Sequence, residues 1–157
     1  MCLLHFNELP FKHLFEYLDG ETTGPESFSG KIGEQQPNCE KLPIINFEAI
    51  ELDEININKT DLSKDEQYLQ DIVRAIQTQC ATDLVVRDPG PLSHSRWLTY
   101  ALRVLRFFIF QTSPTSELKM LVSYIMKKYS PVWFAIERYP SVKYCPKHRN
   151  IAFYNLK

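Results

Sequence analysis

SKDEQYLQDIVRAIQTQC, residues 63–80, is the stretch on which the fold turns. Ser63 and Glu66 stand three apart as S-x-x-E. In this capping box each side chain reaches the other residue's backbone N–H and satisfies two donors that a helix start leaves unpaired. Leu69, Ile72, Val73 and Ile76 follow at i, i+3, i+4 and i+7, one face of a 3.6-residue period. The spacing predicts an amphipathic helix running to about Cys80.

The same period recurs on either side. Upstream, Leu9, Phe11, Leu14, Phe15 and Leu18 predict a first helix within residues 1–20. Asn7 is its expected N-cap, Pro10 falls in its first turn, and Asp19-Gly20 ends it. Glu21 to Pro43 reads as a long irregular loop, punctuated by Gly24-Pro25, Ser29-Gly30 and Pro37-Asn38. Residues 42–57 (LPIINFEAIELDEINI) fit neither the helical nor the strand period. We read them as extended chain packed against helices, so that 21–60 is irregular or extended.

Downstream, Asp88-Pro89-Gly90-Pro91 breaks the chain. A third helix is expected from about Ser93 to Phe110. A fourth has Ser113 as N-cap, Pro114 at its first position, and the stripe Leu118, Leu121, Val122, Ile125, Met126 and Tyr129. Pro131 starts a short helix carrying Val132, Trp133 and Ile136, ended by Tyr139-Pro140, and 146–156 can form one more. The expectation is one mainly α domain over 1–157, an irregular multi-helix domain with a long N-terminal loop and a helical core over 61–157. That core is expected to include Leu14, Leu18, Leu69, Ile72, Ile76, Trp97, Leu105, Leu121, Ile125 and Trp133.

Composition fits such a core. Hydrophobic residues make up 44% of the 157, charged residues 24% and aromatics 13%, the balance of a globular protein rich in large rings. MCLLHFNELP has no basic leader region. The most apolar run, Trp97 to Phe110, is too short for a bilayer and holds Arg103 and Arg106. The expected location is intracellular, cytoplasmic or nuclear, with no membrane partner and with the four scattered cysteines reduced. Met1-Cys2-Leu3-Leu4-His5 opens the chain as the interior of a domain does, with no polar lead-in. A chain cut from something larger is the expectation, with apolar surface uncovered near Cys2 to Leu9 and a tendency to self-associate.

Net charge is −1, but the halves differ sharply. Residues 1–90 hold seventeen acids and seven Lys or Arg, a net −10. Residues 91–157 hold two acids and eleven Lys or Arg, a net +9. Either the halves neutralise each other by packing or the basic half meets nucleic acid.

Four groups of residues qualify as sites. Cys2-x-x-His5 and Cys145-x-x-His148 have zinc-ligand spacing, though the distance between the pairs matches no compact zinc module. Zinc is the one cofactor considered; none is expected. Ser93-His94-Ser95 has the residues of a nucleophile and base, but neighbours on a helix point apart and Ser93 suits a cap better. The acids of 48–54 can line an extended segment as metal ligands or simply be a solvated face. On the third helix Arg96, Tyr100, Arg103 and Phe107 share one face, with Arg106 on its flank. Together with Lys127 and Lys128 they form the candidate nucleic-acid surface, cations for phosphate and rings for bases. The other reading, which we favour, buries that face against another element and pairs its arginines with the acidic half.

Three stretches together, CLLHFNELPFKHLFEYLDGETTGPESFSGKIG, DPGPLSHSRWLTYALRVLRFF and YSPVWFAIERYPSV…PKH, resemble transposon-derived proteins of invertebrates related to hAT-like transposases. The resemblance implies an RNase H-like catalytic fold, of which this chain would be the helical insertion and C-terminal part. Cys2 and His5 match the C-x-x-H of such enzymes, and Arg96-Trp97 matches their Arg-Trp element. By the same resemblance both catalytic aspartates would lie upstream of Met1. Glu117 and Glu137 are the only acids after Asp88. Two-metal phosphoryl transfer needs clustered carboxylates. The expectation is a catalytically inactive remnant, not an enzyme, acting at most as a protein-interaction module. The alternative is a nucleic-acid-binding module using the basic half.

Overall fold

The computed structural model describes residues 3–24, 27–35, 47–52, 57–80 and 96–138; the side chains of 3–5, 23, 24, 27, 28, 96, 137 and 138 fall outside that description. The fold is mainly helical. Among the described residues no helix is long and apolar enough to cross a membrane.

Helix α1 spans Leu3–Asp19, so it begins before Asn7, and Pro10 lies in its interior. Asn7 does not cap it. Its Nδ2 donates to the Tyr129 carbonyl at 3.0 Å, a buried tie across 122 positions of sequence that overrides the local cap preference. An interior proline costs about 3 kcal/mol. Burial of Phe11 and Phe15 on the opposite side offsets it, at about 1.5–3 kcal/mol each. The helix ends as its sequence predicts. Gly20 takes φ +94°, and its N–H donates to the Glu16 carbonyl at 3.0 Å.

Within the 21–43 stretch, the described residues 21–24 and 27–35 are more regular than expected; the rest of it lies outside the described residues. Strands β1 (Thr22–Gly24) and β2 (Ser27–Phe28) pair antiparallel, and a five-residue helix α2 (Lys31–Gln35) follows. The reason is remote. The Asp19 carboxylate, on the last turn of α1, accepts from the N–H groups of Ile32 and Gly33 at 2.8 and 2.7 Å and so caps α2. Ser29 Oγ donates to the Glu21 carbonyl at 2.8 Å and holds the two ends of the hairpin together. Gly30 has no room for a side chain, because a Cβ there would collide with the Asp19 backbone oxygen and carboxylate.

Residues 47–52 and 57–58 run without regular structure against helix α3 (Lys64–Thr78). Three glutamines bind them down. Gln79 Nε2 donates to the Phe47 carbonyl, Gln77 Nε2 to that of Leu52, and Gln70 Nε2 to that of Ile57, at 2.9, 3.3 and 3.0 Å. Lys59 meets Asp71 at 2.6 Å in the same strapping. Helix α3 has the expected capping box: Ser63 N–H donates to Glu66 Oε2 at 2.7 Å, and Glu66 N–H to Ser63 Oγ at 3.4 Å. It stops at Thr78, where Gln79 turns left-handed at φ 55°.

Helix α4 (Arg96–Ile109) is the centre of the molecule, with α3 on one side and α1 and helix α5 (Ser116–Tyr124) on others. From Leu98 to Phe110 every described side chain except Arg103 is buried. Ser93, expected to cap this helix, lies outside the described residues. The cap of α5 is Thr115, not Ser113: Thr115 Oγ1 accepts from the Leu118 N–H at 3.2 Å and its carbonyl from Lys119 at 3.0 Å. Pro114 therefore precedes the helix. The stripe from Leu118 to Tyr129 is buried throughout, as predicted.

Pro131 does not start a separate helix. Chain continues from α5 through a π-helical turn (Ile125–Tyr129) into α6 (Ser130–Arg138) without a break. The Ser130 N–H donates to the Ile125 carbonyl, five residues back. The wider turn eases the clash between a proline ring and the carbonyl four residues before it. Tyr139, Pro140 and the 146–156 helix lie outside the described residues. Of the expected core, Leu14, Leu18 and Trp97 are half-buried at its edge, and the other seven are enclosed.

Candidate functional site

The six candidate nucleic-acid residues do not form one surface. Tyr100 is 2% exposed and Arg106 is 3% exposed, so neither can reach a phosphate or an unstacked base in this structure. Tyr100 stacks on Trp97 at 4.8 Å and leans on Phe15 at 5.9 Å, within a nest of rings between α1 and α4. The Arg106 guanidinium lies 6.0 Å from the centre of the Phe110 ring. Phe107 is also enclosed, and Arg103 is half-buried. Only Lys127 and Lys128, on the π-helical turn, are exposed; the side chain of Arg96 is not described. The period of α4 predicts an outer face, but three elements pack on the helix, and among its described side chains only Trp97 and Arg103 are not fully enclosed. Lys119 Nζ to Glu48 at 3.4 Å, an exposed pair, joins the basic and acidic halves.

The zinc candidates cannot be brought together here, since Cys2, Cys145 and His148 and the His5 side chain lie outside the described residues. Ser93, His94 and Ser95 do as well. Among the described residues no three His, Cys, Asp or Glu side chains are grouped as metal ligands. Of the acids in 48–54, Glu48 and Glu51 are exposed.

A cleft of about 390 Å³ opens where the end of α1, α2, the end of α4 and the start of α5 meet. Leu18, Ile32, Phe107 and Leu118 give it an apolar floor, with Asp19, Lys31 and Glu117 around it. Asp19 is committed to the α2 backbone. Burial pushes its carboxyl above the ordinary carboxylate range, only partly countered by the N–H groups of Ile32 and Gly33, and Glu34 nearby adds to the rise. Glu117 goes the other way, held low by its own backbone N–H and by Thr115 and Ser116. Elsewhere in the core, beside Asn7 and Phe11, burial drives the Tyr129 hydroxyl well above its usual value, with Glu8 and Tyr124 adding to the effect, so it remains neutral.

The Asp19 shift has a testable sign. A carboxyl that holds its proton more tightly folded than unfolded contributes stability below its ordinary value of 3.8. That contribution is lost as pH rises through the raised value. Asp19→Asn does not titrate. The melting-temperature difference, wild type minus Asp19→Asn, is therefore expected to fall as pH rises through the carboxylate range, then level off. A difference that grows with pH would contradict the placement of this group.

The feature that sequence reasoning passed over is on α1. Phe6 is 54% exposed and Tyr17 86%, and Pro10 and His13 between them are exposed too. The signal was present as the lack of charge opposite Phe11 and Phe15. The expectation of uncovered apolar surface near Cys2 to Leu9 touched only its first turn. Met120, on α5, is a third large exposed apolar side chain at 52%. Comparison of the chain with protein-family models, with curated proteins and with solved structures finds no match.

Proposed function

We propose that the chain is a protein-interaction module, a catalytically inactive remnant derived from an hAT-like transposase of RNase H-like fold. The transposase origin is supported by the three resembling stretches and by Arg96-Trp97 in particular. Inactivity is supported by the scarcity of acids in the basic half, where Glu117 and Glu137 stand alone after Asp88. The observation that carries the interaction reading is the charge-free outer face of α1, with Phe6 and Tyr17 in solvent. Exposed aromatic side chains aligned on a helix suit protein recognition rather than phosphate binding.

DNA provides the test. Phosphate contacts give binding that falls steeply with salt, the log–log slope scaling at about 1 for each phosphate that a cation neutralises. Here Arg106 is enclosed and the net −10 half opposes phosphate. A duplex or single strand is expected to show no mobility shift at sub-micromolar protein at any salt, and no magnesium- or manganese-dependent cleavage. Sub-micromolar binding abolished by Lys127→Ala with Lys128→Ala would replace this reading with the nucleic-acid one. Metal-dependent cleavage that disappears in Glu117→Gln would overturn the inactivity.

A further inference from the structure

We infer that the cleft between α1, α2, α4 and α5 binds a free amino acid with an apolar side chain, its carboxylate on Lys31 and its ammonium on Glu117. The inference goes beyond the interaction-module reading and does not depend on it.

At about 390 Å³ the cleft has the size of a small-molecule site. Its floor is apolar. Leu18 is half-buried there, and only the edges of Ile32, Phe107 and Leu118 reach the surface. The polar groups stand on two sides. Lys31 and Gln35, four positions apart and so on one face, belong to α2. Gln111 follows α4, and Glu117 lies in the first turn of α5. Among the described residues the Lys31 ammonium and the side-chain amides of Gln35 and Gln111 have no hydrogen-bond partner. Glu117 is kept ionised chiefly by its own backbone N–H, then by Thr115 and Ser116, and Lys31 contributes from the α2 side. Yet Lys31 and Glu117 form no ion pair with each other. A cation and an anion thus flank an apolar floor, near enough to sense each other and too far apart to close.

That arrangement selects the ligand. Phosphates are disfavoured, because Asp19 and Glu117 outnumber Lys31 among the lining groups. A metal ion would lack ligands, since no three are grouped among the described residues. A polyamine would meet Lys31. A zwitterion satisfies both signs at once, with Gln35 beside its carboxylate and the Gln111 carbonyl beside its ammonium. Asp19 is already engaged, each oxygen on an α2 backbone N–H, so it positions α2 and Lys31 rather than binding. The floor holds no charge, so the side chain it takes is apolar, of the size of leucine. Exposed charge pairs contribute little in water, and so small a ligand has few atoms to contribute. Affinity is therefore modest, with a Kd of order 0.1–1 mM.

An NMR titration of the full chain with L-leucine to about 10 mM tests this, the range covering that Kd. The expected result is saturable shifts of the backbone amides of residues 30–35 and 111–118. N-acetyl-leucine lacks the ammonium and leucinamide lacks the carboxylate. Each is expected to bind about fivefold more weakly or worse, and glycine, without a side chain, not to saturate. Lys31→Ala should abolish the preference for leucine over leucinamide, and Glu117→Gln the preference for leucine over N-acetyl-leucine. Both positions are exposed, and the ligand series on the wild type decides the matter even if a variant folds poorly. No saturable shift overturns the site. Equal binding of leucine and its two blocked forms overturns the charge roles. Unchanged preferences in the variants overturn the assignment to Lys31 and Glu117. Tighter binding of leucyl-glycine or glycyl-leucine than of leucine overturns the free amino acid in favour of a peptide end.

Discussion

Phe11→Ala is expected to lower the free energy of unfolding by about 3–5 kcal/mol, a third or more of what a domain of this size typically has. Phe11 is fully buried where α1, α4, α5 and the π-helical turn meet. Among the described residues its ring has four aromatic neighbours: Phe15 and Trp97 edge-on at 6.4 and 5.6 Å, Tyr124 stacked at 6.4 Å, and Tyr129 tilted at 5.1 Å. Such rings have little freedom to close over a void, so the cavity persists and the loss lies at the upper end of its class. Phe11→Leu keeps most of the volume and should lose less than half as much. Urea unfolding of the two variants decides it. A loss under about 1 kcal/mol for Phe11→Ala would mean that α1 is not packed on this core.

Glu66→Ala is expected to cost about 2–4 kcal/mol, more than a helix-cap residue alone commands. Glu66 is 6% exposed and performs two tasks. One oxygen closes the capping box on the Ser63 N–H. The other accepts from Trp133 Nε1 at 3.2 Å, tying α3 to α6 across 67 positions of sequence. Removing the carboxylate frees a helix-start N–H and leaves a buried indole N–H unpaired, the second costing about 1–3 kcal/mol by itself. Trp133→Phe removes that donor, so Glu66→Ala should cost markedly less in its presence. A double-mutant cycle with no coupling between the two would refute the bridge.

Those two residues also mark the limit of what the sequence discloses. Glu66 is legible as a cap, because its partner Ser63 is three positions away. Its bond to Trp133 is not, because nothing local distinguishes a capping glutamate with a second client. The buried stripe of α5 and the stop at Gly20 are legible for the same reason of locality. Pro10 and Asn7 mislead, since the usual preferences put a helix start there. The decisive contact, Asn7 to the Tyr129 carbonyl, comes from the far end of the domain. Helix α2 was hidden because its cap, Asp19, sits on a different helix. Helix α4 shows the same limit in the candidate site. Its periodicity separates two faces, but periodicity alone does not reveal that the second is also covered, which is what removes Tyr100 and Arg106 from the surface. The aromatic stripe on α1 was readable in principle, as the side of an amphipathic helix where charge ought to be.

The π-helical turn at Ile125–Tyr129 bears on how this chain tolerates changes in its own length. Such a turn stores one residue more than an α-helical turn over the same rise. An insertion is thereby absorbed on the spot, and the helix beyond it keeps its phase instead of rotating by about 100°. Lys127 and Lys128, both in solvent, lie in that turn, and either can be the surplus residue. Deleting one of them shortens the chain without turning Trp133 and Phe134 away from the core, whereas the same deletion within Ser116–Tyr124 would swing them out. The penalty is that Pro131 then meets an unrelieved carbonyl four residues back. Related sequences that lack a residue here are therefore expected to have replaced that proline, so that length and composition change together at this one point of the fold.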